Sequence, residues 1–213
     1  MAAALDRWGR IDALINNAGI IRFAGLPDAD AENLDAHLEV HVRGSFHTTH
    51  AAWPHFVAQG YGRVVMTTSS GVFGLPVNLS YATAKGGIIG MTRSLAVAGE
   101  PLGIRVNAIA PAASTRMGSR KSGDDPEMDP ALVAPMAAYL AHESCPVTGE
   151  VYTAGAGRFG RLFLAATPGY VRSAPTLEDI AAHWGEINDE TGYTVPANLI
   201  EWSAQHLAHL PTE

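Results

Sequence analysis

Cysteine is almost absent, and that bounds the setting first. Cys145 is the single cysteine among 213 residues. One thiol cannot close an intrachain disulfide, so the fold must rest on its core, and the usage fits a reducing compartment. Positive charge is also scarce: 14 Lys and Arg stand against 21 Asp and Glu, a formal charge of −7. That balance argues against nucleic acid or an anionic membrane as the main partner. No apolar run approaches the roughly 20 residues that span a bilayer. The amino-terminal MAAALDRWGRIDAL places Asp6 and Arg7 where an export signal needs an unbroken apolar run. The closing Pro-Thr-Glu is not an SKL-type address. These absences point to a cytoplasmic protein. Internal repeats and low-complexity tracts are missing too.

What is present suits a packed α/β enzyme domain. Hydrophobic residues make up 47% of the chain, enough for a sizeable buried core. Residues 2–8 read as the last turns of a helix stopped by Gly9. Ile11 to Ile15 reads as a short buried strand, and Asn16-Asn17-Ala18-Gly19 turns at its carboxyl end. Small residues there let backbone approach a ligand closely. A long helical pattern follows over 31–58, with Leu34, Leu38, Val42, Phe46 and Ala51 near helical spacing. His37 and His41 sit four apart on it, as zinc ligands can. No H-E-x-x-H motif and no nearby carboxylate or thiol completes a set, so no metal site is expected.

The chemistry concentrates between Thr67 and Lys85. A strand at Val64–Thr67 ends in the hydroxyl cluster Thr67, Thr68, Ser69 and Ser70. A Gly/Pro-punctuated loop then launches a helix carrying Tyr81 and Lys85, four apart and therefore on one face. One strand–loop–helix unit thus offers a proton donor, a cation to tune it and a hydroxyl to hold an oxygen. The same helix carries Gly86, Gly87 and Gly90, a small-residue face suited to close packing within or between subunits. A third strand is predicted at Ile104–Ile109. Residues 112–128 read as a substrate lid at its carboxyl end. Asp129-Pro130 starts a helix running to about His142. Val151–Thr153 reads as a fourth strand. The remainder, 158–213, differs in character. It holds one helix behind a capping-box-like Thr176-Leu177-Glu178-Asp179 and a second over 196–210.

These residues resemble the short-chain dehydrogenase/reductase family. Asn16-Asn17-Ala18-Gly19 matches its N-N-A-G signature, Tyr81 to Lys85 its Y-x-x-x-K, and Arg105 to Pro111 the strand motif before its lid. The resemblance covers about residues 5–157. Narrower details are similar to the dehydrogenase part of the peroxisomal multifunctional type 2 enzymes and their bacterial single-domain relatives. They are His41-Val42-Arg43-Gly44, Ser114-Thr115-Arg116-Met117 and His142-Glu143-Ser144-Cys145. That subgroup oxidises (3R)-hydroxyacyl-CoA.

The resemblance implies a partial Rossmann-type α/β domain, about four parallel strands over 1–157 with flanking helices, and a helical C-terminal extension over 158–213. It implies a homo-oligomer. It implies hydride transfer between NAD or NADP and a small-molecule secondary alcohol or ketone. Tyr81 would be the general acid/base, Lys85 its tuning cation and a ribose contact, and Ser69 the holder of the substrate oxygen. His41 falls where the family has a relay asparagine. Asn16, Ala18, Gly19, Pro111, Ser114 and Thr115 would join Tyr81 and Lys85 around the cofactor. The serine role stays open between Ser69, counted from the strand, and Thr68, counted back from Tyr81.

One departure is large. The family's T-G-x-x-x-G-x-G start and its first three strands, which cradle the pyrophosphate, have no counterpart ahead of Ile11. A truncated chain, a short paralogue that binds little cofactor, and a chain completed by a partner are the three explanations. The bare strand edge that would result is expected to be covered. A non-redox lyase or hydratase using the same proton-transfer groups, or a non-catalytic assembly module, are the alternative functions.

Overall fold

The computed structural model describes residues 1–118 and 125–210. Two compact units divide it, Met1–Leu162 and Phe163–Glu213. In the first, helix α1 (Ala2–Trp8) ends on Gly9 in the left-handed conformation, and β1 (Ala13–Asn16) follows. Helix α2 (Ala31–His37) is capped by the Asp30 carboxylate, which accepts from the Asn33 N–H. The chain then widens into a π-helical turn at Leu38–Arg43 before α3 (Gly44–Gln59). The single helix predicted over 31–58 is therefore interrupted, and the interruption holds His41. Side-chain periodicity near 3.6 does not reveal one widened turn, because apolar positions on either side keep almost the same face.

β2 (Gly62–Thr67) leads to α4 (Leu79–Gly99), then β3 (Ile104–Pro111), α5 (Ala134–Leu140), β4 (Val151–Gly155) and β5 (Arg158–Leu162). The sheet order is β1-β2-β3-β4-β5. The first four strands are parallel, with Val64 opposite Val106 and Met66 opposite Ala108. β5 turns back antiparallel on β4. This α/β architecture matches the expected class, with one strand more than the expected four. The expected boundary after Gly157 falls inside the β4–β5 hairpin, so the compact unit runs on to Leu162. The missed strand has little apolar character: Arg158 and Arg161 stand in it, and Arg161 is held by a forked bond to Glu150. Among the described residues no strand covers the outer edge of β1.

Alternation along β2 and β3 splits the interior in two. Val64, Met66, Val106 and Ala108 face a core shared with Phe56, Ile88 and Ala96. Val65 and Ile109 face the other side with Leu140, Cys145 and Ala154. Around β2 and β3 both faces are covered, as parallel strands require, whereas β1 at the edge has no fully buried residue. Two arginines finish the amino-terminal end of the sheet. Arg63 and Arg105, opposite each other in register, reach the backbone carbonyls of Glu143 and Cys145 just beyond α5.

The second unit carries α6 (Leu177–Ala182), α7 (Trp184–Ile187) and α8 (Leu199–His206). The capping box at Thr176 and Asp179 forms in both directions. The second predicted helix is shorter than expected at both ends. Trp184, Leu199 and Leu207 are exposed.

Candidate active site

The site is built where β2 ends and α4 begins. Thr68 continues the strand direction, and its hydroxyl donates to the Lys85 carbonyl at 2.8 Å. Lys85 answers across the same joint: its ammonium donates to the Thr67 carbonyl at 2.7 Å. These reciprocal bonds lock the first turns of α4 onto the strand end. Both residues are buried. Burial disfavours the charged form and lowers the Lys85 ammonium to about 8.

Ser69 differs from Thr68 in how its hydroxyl is used. Its backbone is extended, and its oxygen accepts from the Gly71 N–H at 3.0 Å as the cap of a short helical turn, Ser70–Phe73. That bond occupies a lone pair and leaves the hydroxyl proton free to donate. Gly71 marks the convergence. A Cβ placed there would lie 3.3 Å from Ser69 Oγ, 3.4 Å from Tyr81 Cε1 and 2.9 Å from Asn78 Nδ2. Ser69 and Tyr81 therefore meet across one small residue, while Thr68 has spent its proton inside the joint. Lys85 Nζ lies 5.5 Å from the Tyr81 ring centre.

Two histidines form the wall behind Tyr81. His37 closes α2 and His41 sits in the π turn; their rings stack at 6.0 Å. Both meet the Tyr81 ring edge-on, His41 at 5.4 Å and His37 at 6.1 Å. His41 Nε2 lies 2.8 Å from the Ile20 carbonyl. The Ile20 N–H also lies 3.4 Å from that nitrogen. The shorter contact decides the tautomer, because a carbonyl can only accept: Nε2 carries the hydrogen. His41 Nδ1 is then a bare lone pair, buried and without a partner. Burial first, then the Lys85 charge, lowers His41 to about 4, so the ring is neutral at pH 7. Gly19 makes room for it; a Cβ there would stand 2.6 Å from His41 Cε1.

The other expected cofactor residues divide. Ala18 is exposed and Gly19 half-buried at the carboxyl end of β1. The Asn16 side chain turns into α3 instead: its amide donates to Thr49 Oγ1 at 3.0 Å, and its carbonyl accepts from Thr48 Oγ1 at 2.7 Å. Only its backbone borders the strand end. Pro111 ends β3 opposite Ala154. Ser114 is buried and its N–H donates to the Met128 carbonyl, while Thr115 is half-buried. Met117 of this connection approaches Gly19, its methyl 3.6 Å from a Cβ placed there. Residues 119–124 of the expected lid lie outside the described residues. Sequence reasoning passed over His37 as a neighbour of Tyr81; its spacing from His41 was the available signal.

A hydroxyl, a phenol, a buried ammonium and a neutral imidazole gather at one strand end of the α/β sheet, groups of the kind that can move a proton. The chain belongs to the short-chain dehydrogenase family, whose description, "short chain dehydrogenase", matches over residues 1–125. It is 40% identical over 193 residues to a short-chain type dehydrogenase/reductase of Mycobacterium tuberculosis, covering 89% of this chain and 68% of that one. It is 39% identical over 205 residues to mouse peroxisomal multifunctional enzyme type 2, covering 93% of this chain but 28% of that protein. The full-length Drosophila melanogaster peroxisomal multifunctional enzyme type 2 superposes with a TM-score of 0.82 at 33% identity, over 92% of this chain and 37% of that one. The chain thus spans under a third of the mouse protein it matches. Among the described residues no helix is long and apolar enough to cross a membrane.

Proposed function

We propose that the chain carries the alcohol–ketone oxidoreductase centre of its family, acting on a secondary alcohol of the 3-hydroxyacyl thioester type, with Tyr81 as general acid/base. The observation that carries this reading is the meeting of the Ser69 hydroxyl and the Tyr81 ring across Gly71, with Lys85 on the next turn. In the oxidative direction the Tyr81 phenolate takes the proton of the substrate hydroxyl. Ser69 donates a hydrogen bond to that same oxygen. The Lys85 ammonium places a positive charge 5.5 Å from the Tyr81 ring centre. His41 Nδ1, a buried lone pair without a protein partner, offers a hydrogen-bond acceptor behind Tyr81, and the ring itself stays neutral at pH 7.

The residues fit the nicotinamide end of NAD or NADP. Ala18 and Gly19 keep the end of β1 low, Lys85 brings a cation beside Tyr81, and Pro111 and Thr115 border the end of β3. With its side chain bonded to Thr48 and Thr49, Asn16 would contribute through its backbone. A bound nicotinamide supplies the acceptor for the hydride that leaves the alcohol carbon. The family's usual habit also favours a homo-oligomer, and the single buried thiol of Cys145 suits the cytoplasm.

The test is a titration with NADH and NADPH followed by thermal shift and fluorescence, then oxidation of a 3-hydroxyacyl thioester by the wild type and by Tyr81→Phe. Saturable cofactor binding and a loss of at least about 100-fold in turnover on losing the phenol are expected. Absence of any binding at millimolar cofactor would sink the oxidoreductase reading for this chain. Full activity of Tyr81→Phe would remove Tyr81 from its role.

A further inference from the structure

We propose that His37 is a positioning residue: it sets the tautomer and place of His41 by holding the backbone segment that His41 bonds. Calling that service catalytic positioning rests on the reading of Tyr81 and His41 above; the geometry itself does not.

His37 is wholly buried, yet both ring nitrogens are used. Nδ1 lies 2.7 Å from the Asn33 carbonyl, which can only accept, so Nδ1 carries the hydrogen. Nε2 is then the lone pair, and it accepts from the Arg22 N–H at 3.1 Å. His41, one turn on, has the opposite tautomer, with Nε2–H aimed at the Ile20 carbonyl. The two stacked rings therefore grip one short segment, Ile20–Arg22, with opposite polarity. One takes its N–H and the other gives to its C=O. That segment directly follows Gly19.

The arrangement has a direction. Arg22 held by His37 fixes where the Ile20 carbonyl points. A fixed carbonyl selects Nε2–H on His41, because the other tautomer would set two lone pairs 2.8 Å apart. The selected tautomer leaves Nδ1 of His41 as the bare acceptor. Without the grip at Arg22, either tautomer could form, and a hydrogen on Nδ1 would turn the acceptor into a donor. The ionisable groups facing His41 are His37 from α2 and Tyr81 and Lys85 from α4. Glu39 and Arg43 of the π turn pair with each other in solvent.

Nitrogen-15 NMR of the histidine rings in the intact chain tests this without cofactor or turnover, so failure of the oxidoreductase reading and failure of this one are separable. The wild type should show His37 as the Nδ1–H tautomer and His41 as Nε2–H, with His41 titrating near 4. His37→Phe keeps a ring in place and loses both bonds; it should give mixed His41 tautomers. His37→Gln loses the ring but keeps a donor and an acceptor, and should restore the Nε2–H form. A packing role predicts the reverse order, with Phe benign and Gln disruptive, and would overturn the proposal. A wild-type His37 carrying its hydrogen on Nε2 would overturn it even if both variants failed to fold.

Discussion

At the scale of single residues, the site depends on which hydroxyl keeps its proton. Counting from the strand favours Ser69 by register, whereas counting back from Tyr81 points to Thr68, because a shortened loop breaks the spacing. Hydrogen bonding separates them. Thr68 gives its proton to the Lys85 carbonyl, whereas Ser69 only accepts, from Gly71. Two substitutions should therefore fail differently. Thr68→Val, nearly isosteric, removes one buried hydrogen bond and should lower stability by about 1 kcal/mol. Ser69→Ala loses the cap of a short turn, a cost of up to about 1 kcal/mol, and should also reduce kcat/KM by roughly 100-fold, the usual effect of losing one donor to a reacting oxygen. Denaturant unfolding and turnover, measured on both, check the division. Normal turnover in Ser69→Ala with normal stability in Thr68→Val would reverse the assignment. Asn16 teaches the same lesson: a signature letter does not say where its side chain points, and here it points into Thr48 and Thr49.

At the scale of elements, the parts written as continuous apolar runs were legible and the parts made by geometry were not. β2 to β4 stand within a few residues of their sequence positions because strands buried inside a parallel sheet must be largely apolar, whereas β1, expected to be buried, lies at the open edge with Ile15 exposed. The Asp30, Thr176 and Asn198 caps precede their helices as side-chain acceptors should. The π turn at Leu38–Arg43 has no such signature, and neither has β5, whose pairing is set by the turn after Gly155 and by the Arg161–Glu150 fork. The π turn matters because it seats His41 against the end of β1, where only a glycine fits. Gly19→Ala would put a methyl 2.6 Å from His41 Cε1. The ring or the β1 loop must then move, at a cost of about 1–3 kcal/mol. The expected signature is a lowered Tm together with a displaced His41 ring resonance. An unshifted His41 would mean that the loop yields instead.

At the scale of the whole molecule, the site couples its chemistry to the stability of the sheet that carries it. His41 has its folded value lowered to about 4 from an ordinary 6.5. Between those values the unfolded chain binds a proton at this position that the native fold refuses. Stability must then fall as pH falls from 6.5 to 4, by about 2 kcal/mol once partial screening is allowed. Lys85 acts in the same sense higher up. Its folded value is about 8 against an ordinary 10.5, so its burial penalty fades, and stability rises, as pH climbs between them. Acid loss alone would not identify His41, since carboxylates protonate in the same range; Asp179 and Asp189, both held low by backbone donors, are two of them. Comparison with His41→Asn removes that common background, because every other group titrates alike in both chains. The probe must report the first unit, since the two units need not unfold together. Amide hydrogen exchange at Val64 and Val65, both fully buried in β2, meets that need. The wild type should lose about 2 kcal/mol more opening free energy than His41→Asn between pH 6.5 and 4. Parallel curves for the two chains would mean that His41 takes up its proton in the folded state, leaving the wall behind Tyr81 charged and its Nδ1 unable to accept.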